Sequence, residues 1–352
     1  MNFKLAFLSL ILVLAGCSKK SDLPYHEEMN AAYYWKTTFR PDSAEMAFLR
    51  QHNVGRIYLR MFDVDLDGEM PVPNATVRFG NSPFNCASGD YNNCEFLESL
   101  NVVPTVYITL DAMRRMKGEE GKWAQQIVTR VKNMCSYNEI PNVSELQYDC
   151  DWTASTEKSF FALCDSTRQC IENDSLGWDM SSTIRLHQLN RQAPPVGRGV
   201  LMVYNTGSFN NPDIDNSILS TDDVVPYLSK LGDYPLHLDI AYPTYSWQLL
   251  FHKRQFAGLL STAAVEDSTL FEKTGDNRYT ARREHFAGNS IIREGDVVRV
   301  ETSEFATLAK VKSLIEQKLV GRPHSNIVYH IDSLNLSKYS EDEISEIYTV
   351  AQ

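Results

Sequence analysis

A chain of 352 residues that is 43% hydrophobic and 22% charged has ordinary globular composition, which excludes global disorder and a polytopic membrane protein. Its net charge of -11 leaves no Lys/Arg stripe to neutralise phosphates, so a nucleic-acid partner is excluded and uncharged ligands fit better. Length alone admits one large domain or two average ones.

The chain opens on Met1-Asn2-Phe3-Lys4, an apolar run from Leu5 to Val13, and Leu14-Ala15-Gly16-Cys17, the grammar of an export signal closing on a lipobox. Residues 1–17 are expected to be this signal. Cys17 becomes the first mature residue and carries the lipid, a diacylglycerol with palmitate-type chains. The expected location is outside the cytoplasm, on the outer membrane, facing the periplasm or the cell surface. Residues 18–30 are polar and read as a tether. No later apolar run is long enough to span a bilayer.

Eight short apolar or alternating runs follow: Ala31–Thr38, Val54–Phe62, Val102–Leu110, Val143–Asp151, Ser182–Gln188, Gly199–Asn205, Leu236–Tyr242 and Ile327–Ile331. Helical patterns lie between them at Ser43–His52, Trp123–Met134, Thr156–Ile171, Asp222–Leu231 and Phe305–Leu319. This alternation predicts an α/β protein, a (β/α)8 TIM barrel over residues 31–352. A doubly wound sheet is the rival, but the first βα turn has no Gly-rich phosphate fingerprint. The segment from about 251 to 302 is too long for a βα loop. Its runs Arg278–Phe286 and Ile291–Val300, separated by Gly288-Asn289, predict an inserted β-hairpin after strand seven.

Cys17 aside, the remaining cysteines are even in number. Cys86 and Cys94 bracket a polar loop suited to a local disulfide, whereas Cys135, Cys150, Cys164 and Cys170 fit buried thiols. Neither a CxxC nor a His-rich spacing suggests zinc, and no metal or other cofactor is expected. A His-x-His at strand one, a Gly-x-Ser-x-Gly elbow and a P-loop are also missing from the sequence.

Glu145 to Trp152 reads as a strand whose alternate residues Gln147, Asp149 and Asp151 share one face, opposite Leu146, Tyr148 and Cys150. If helices cover the apolar face, both carboxylates point into a lined cavity. Period-two reading of the other strands adds Arg60 and Asp63, Arg185 and His187, Asn205, Asp239, and His330 or Asp332 at or near carboxyl ends. Convergence of several strands on one end is what marks a site in a barrel. Trp35, Trp152, Tyr204, Tyr242, Tyr245 and Trp247 fall at strand ends or just beyond, where ring faces can stack on sugars. A carbohydrate is therefore the expected ligand.

Gln147-Tyr148-Asp149-Cys150-Asp151-Trp152 is similar to the fourth-strand motif of chitinase-like family 18 glycoside hydrolases, and Met202-Val203-Tyr204-Asn205 resembles their sixth-strand Met-x-Tyr-Asp. The resemblance implies the same barrel. The chain departs from it at Thr153, where the family carries its catalytic Glu, and at Asn205, where it carries Asp. More broadly the chain resembles barrel lipoproteins exported by glycan-using bacteria.

Hydrolysis of a glycosidic bond needs a proton donor and a second carboxylate. The candidate acid is Asp151, with Asp149 beside it to raise its pKa and Asp239 across the barrel as nucleophile or base. Trp35, Arg60, Trp152, Arg185, His187, Tyr204, Asn205, Tyr242 and Trp247 are the candidate binding residues. The expectation is a glycoside hydrolase. Two alternatives stand beside it: a glycan-binding lipoprotein that has lost its acid, and a structural lipoprotein whose interior polar groups close into ion pairs and leave no cleft.

Overall fold

The computed structural model describes residues 28–80, 84, 91–260 and 263–350. Eight parallel strands form the barrel: β1 (Ala31–Tyr34), β2 (Arg56–Asp67), β3 (Asn101–Ile108), β4 (Glu145–Asp149), β5 (Asp179–Arg185), β6 (Arg198–Met202), β7 (Leu238–Pro243) and β8 (Asn326–Tyr329). Each pairs with the next, and closure comes from β1, which lies between β2 (Ala31 opposite Arg56) and β8 (Ala31 opposite Ile327). The expected (β/α)8 barrel is present, with helices Ser43–Gln51, Glu120–Tyr137, Glu157–Asn173 and Phe305–Glu316 in its outer layer.

These strands are buried on both faces, which is why they read as apolar runs as much as alternating ones. In β4 all five residues are buried. Tyr148 Oη bonds Thr167 Oγ1 of the helix Glu157–Asn173 at 2.7 Å, so even-numbered residues face the helices. Gln147 Oε1 accepts from Tyr33 Oη of β1 across the lumen at 2.7 Å, so odd-numbered ones face inward.

Several departures from expectation have local causes. β2 runs on past the barrel and turns at Gly68, φ +60°, into an antiparallel strand Met70–Asn74. Pro226 lacks an N–H, and the expected helix Asp222–Leu231 becomes one α-turn, Thr221–Val224, followed by a 3-10 turn. β5 stops at Arg185, and Leu186–Asn190 form a 3-10 turn where strand was expected. Short helices also occur at Tyr91–Ser99, Leu110–Arg115, Ser333–Leu336 and Glu341–Tyr348.

The insertion is larger than a hairpin. It spans Ser246–Thr302 and contains a five-stranded antiparallel sheet, ordered 255–260, 246–252, 297–302, 278–281, 271–273. Tyr279 pairs with Val298 in this sheet, while a separate hairpin, His285–Ala287 with Ser290–Ile292, turns at the expected Gly288-Asn289. Leu250, Phe271, Tyr279, Ile292 and Val298 give it a small core of its own.

Cys94 is disulfide-bonded, and Cys86, its expected partner, lies outside the described residues, as do the signal segment, Cys17 and most of the tether. Cys135, Cys150, Cys164 and Cys170 are buried free thiols, as expected.

Asp239 departs from its expected place. It is the second residue of β7 and lies at the amino end of the barrel, fully buried, because β7 starts only at Leu238 and ends at Pro243. Its carboxylate meets Arg198 Nη2 at 2.9 Å and accepts from the Ser325 N–H at 2.8 Å, with Glu145 on the far side of Arg198. Asp239 therefore belongs to a structural ion cluster and does not face Asp151. Burial pushes its carboxyl upward, but the His237 imidazole and the Arg198 guanidinium outweigh this and hold it below the usual range. A group depressed in the fold stabilises above its unfolded value, roughly pH 4, and that contribution is lost as pH falls through the folded value. Asp239→Asn is expected to cost about 3 kcal/mol at neutral pH by removing the nearer of the two buried carboxylates that neutralise Arg198, and to flatten the acid limb of a stability–pH curve followed by circular dichroism.

Candidate functional site

The carboxyl ends of β4, β5 and β6 build one wall of a cleft of about 560 Å³. Asp149, the last residue of β4, points inward by the alternation that Gln147 sets. Its Oδ1 accepts from Thr183 Oγ1 at 2.7 Å and from Arg185 Nη2 at 2.8 Å, both from β5. Burial works against the Arg185 charge, but Asp149 beside it keeps that guanidinium firmly protonated. Asp149 itself is 5% exposed. It orients Arg185 and offers a ligand almost no surface.

Asp151 lies two residues past the strand end, half exposed at the cleft, with Oδ1 2.7 Å from His187 Nε2. The 3-10 turn after β5 holds His187 there: Gln188 Nε2 donates to the Trp152 carbonyl at 2.9 Å, and its Oε1 accepts from the Arg185 N–H at 2.7 Å. Burial raises the Asp151 carboxyl, but the His187 hydrogen bond and the Arg185 charge overcome it and keep the group below the ordinary carboxylate range. That is the reverse of what a proton donor needs, because an acid must hold its proton near neutral pH. Thr153, next along, bonds only locally: its hydroxyl meets Ser155 Oγ at 3.0 Å and its N–H donates to Thr156 Oγ1.

The β6 end continues this wall, and the insertion faces it. Tyr204 stacks on Tyr329 with centroids 4.3 Å apart and sets its edge against Tyr245. Asn205 takes φ +52°, a region asparagine tolerates, and its Oδ1 accepts from Tyr245 Oη at 2.6 Å. Trp247 lines the cleft with edge contacts to Phe209 and Tyr245, and among the described residues no ring is stacked face to face on it. Its Nε1 donates to Glu301 Oε2 at 2.7 Å. Tyr107, Ser208, Phe209, Asn210, Tyr227 and Leu259 are also part of the lining. Burial, then Asp149, pushes Tyr107 up to about 12, so its hydroxyl stays a donor.

Four candidate binding residues lie elsewhere. Trp152 is fully buried against Phe160 and Phe161 of the helix Glu157–Asn173, because it shares the parity of Tyr148 and Cys150 and faces the helices. Tyr242 is equally buried; burial, then the Glu316 carboxylate of the outer helix layer, raises its hydroxyl. Trp35 does sit at the β1 end, but Arg60 lies over its ring at 5.5 Å while pairing through Nε and Nη2 with Asp63. Trp35 and Arg60 thus satisfy each other outside the lining of this cleft. His330 follows β8 and Asp332 pairs with Lys36, both apart from the cleft lining.

Glu301 had no signal in the sequence beyond its place in the long insertion. It is buried, and Oε2 accepts from Trp247, from the Ser217 N–H at 2.8 Å and from Ser217 Oγ at 2.6 Å, while Oε1 accepts from Arg299 Nε at 2.6 Å. Arg299 in turn donates to the carbonyls of Phe209, Asn211 and Ile214. One carboxylate thus ties the insertion to the loop after β6 and fixes two aromatic walls of the cleft.

No group of His, Cys, Asp and Glu able to hold a metal occurs among the described residues. No family model matches the chain, and no curated protein matches it. Solved structures do. The chain shares the fold of the chitinase-like barrels. The immunomodulatory active chitinase TsES1 of Trichuris suis superposes with a TM-score of 0.52 at 11% identity, covering 92% of this chain and 98% of that one. The GH18 chitinase ChiB from the chitin utilization locus of Flavobacterium johnsoniae gives 0.51 at 9% identity, covering 92% and 94%. The spore cortex-lytic enzyme SleL of Bacillus cereus gives 0.50 at 14%, covering 92% and 75%. At such identities the likeness concerns the fold alone and leaves the chemistry to the residues.

Proposed function

We propose that this chain is a lipid-anchored saccharide-binding barrel that holds its ligand in the cleft between β4–β6 and the insertion without cleaving it. The observation that carries this reading is the charge arrangement: Asp149 is paired with Arg185 and Asp151 is held ionised beside His187, and the resemblance of the β4 motif puts Thr153 where the acid would stand. A cleft with aromatic walls and no poised carboxylic acid can bind a sugar but lacks the donor that glycosidic cleavage requires. Closed ion pairs also suit a structural lipoprotein, yet the cleft is open, which favours a ligand. Asp239, enclosed at the opposite end, cannot serve as nucleophile or base here.

Parallel assays of binding and reducing-end release on plant, host and bacterial glycans test the reading. Binding without release supports it. Release that disappears in Asp151→Asn would instead establish hydrolysis with Asp151 in the chemistry. Trp247→Ala is expected to weaken binding by at least about tenfold, near 1.4 kcal/mol, measured by calorimetry. The anchor rests on Leu14-Ala15-Gly16-Cys17. Cys17→Ala should abolish lipid labelling and leave the protein in the soluble fraction, and unchanged membrane association would refute the anchor.

A further inference from the structure

The charges of the cleft bear on which saccharide it takes, an inference that rests on the binding reading above. Three ionisable side chains line it among the described residues: Asp151, Arg185 and His187. Arg185 is ion-paired, with Nη2 on Asp149, while its Nη1 is buried without a hydrogen-bond partner. His187 has Nε2 on Asp151 Oδ1. Asp151 is half exposed, and its Oδ2 carries no hydrogen bond among the described residues. Beyond the lining, Arg60 is held by Asp63 and covers Trp35. The remaining polar lining is uncharged: Asn205, Thr206, Ser208 and Asn210, with Tyr107, Tyr204 and Tyr227.

The site therefore offers one open anionic acceptor and no unpaired cation. A ligand carboxylate or sulfate would give up water beside Asp151 without a counter-charge, and like charges brought together at an interface are strongly unfavourable. An ammonium meets the opposite situation. It gains Asp151 Oδ2 in a cleft with aromatic walls, and the net charge of -11 draws it in. We propose that the cleft selects saccharides bearing a free amine over uncharged ones and rejects uronic or sulfated ones, with Asp151 as the residue that decides.

The test uses the full mature chain on an array in which each saccharide backbone is displayed in free-amine, N-acetylated, neutral and acidic form, followed by calorimetry on the best backbone. Expected is a preference of about tenfold for the amine over its N-acetylated form, with no detectable binding of the acidic one. Asp151→Asn should erase the amine preference and admit the acidic form while the thermal transition stays in place. Acidic members that bind as well as uncharged ones, or a ranking that Asp151→Asn leaves unchanged, would overturn the proposal while leaving saccharide binding intact. An array on which no backbone binds in any form would overturn the binding reading, and this one with it.

Discussion

Glu301→Ala is expected to cost about 3–5 kcal/mol of stability, the usual loss when one partner of a buried ion pair is removed, and to abolish measurable saccharide binding. Both effects trace to the same atoms. Arg299 loses its counter-charge, while Trp247 Nε1 and the Ser217 N–H and hydroxyl lose their shared acceptor. The indole and the loop after β6 then no longer hold the far side of the cleft in place. Urea unfolding measures the first effect and calorimetry below the transition the second. Glu301→Gln keeps an acceptor oxygen and should recover part of both. A variant that binds normally would show that the insertion does not shape the site.

Trp152→Ala is the contrasting case. The ring is fully buried between β4 and the helix Glu157–Asn173, so its removal opens a large cavity and is expected to cost about 3–5 kcal/mol. Because Trp152 faces away from the cleft, the fraction that remains folded should bind saccharide with unchanged affinity. A lower urea midpoint at constant slope, with an unchanged Kd on the folded fraction, is the expected pair of results. Weakened binding at full folding would return Trp152 to the site.

These two tryptophans show where reading the chain alone succeeds and fails. Strand alternation placed Asp149 inward correctly, and the same alternation assigns Trp152 to the face of Tyr148 and Cys150, against its selection as a sugar platform. Tyr242 fails for a related reason: an aromatic near a strand end faces lumen or helix layer according to parity, and only the packing settles which. Asp239 fails on position along the strand, since a carboxylate near the first residues of β7 belongs to the base of the barrel whatever its face.

The eight strands and the long insertion were determined by local pattern, because apolar periodicity and turn residues act over a few neighbours. The inward face of β4 and the absence of a Glu after Trp152 were equally plain in the sequence. Tertiary structure alone decided the rest. The pairing of Asp149 with Arg185 and of Asp151 with His187 crosses 36 positions, and the bond from Glu301 to Ser217 crosses 84. Such contacts depend on barrel closure and on how an inserted sheet docks, and no local pattern carries either. That closure turned the expected acid into a fixed carboxylate, which is the physical reason for proposing a binding site.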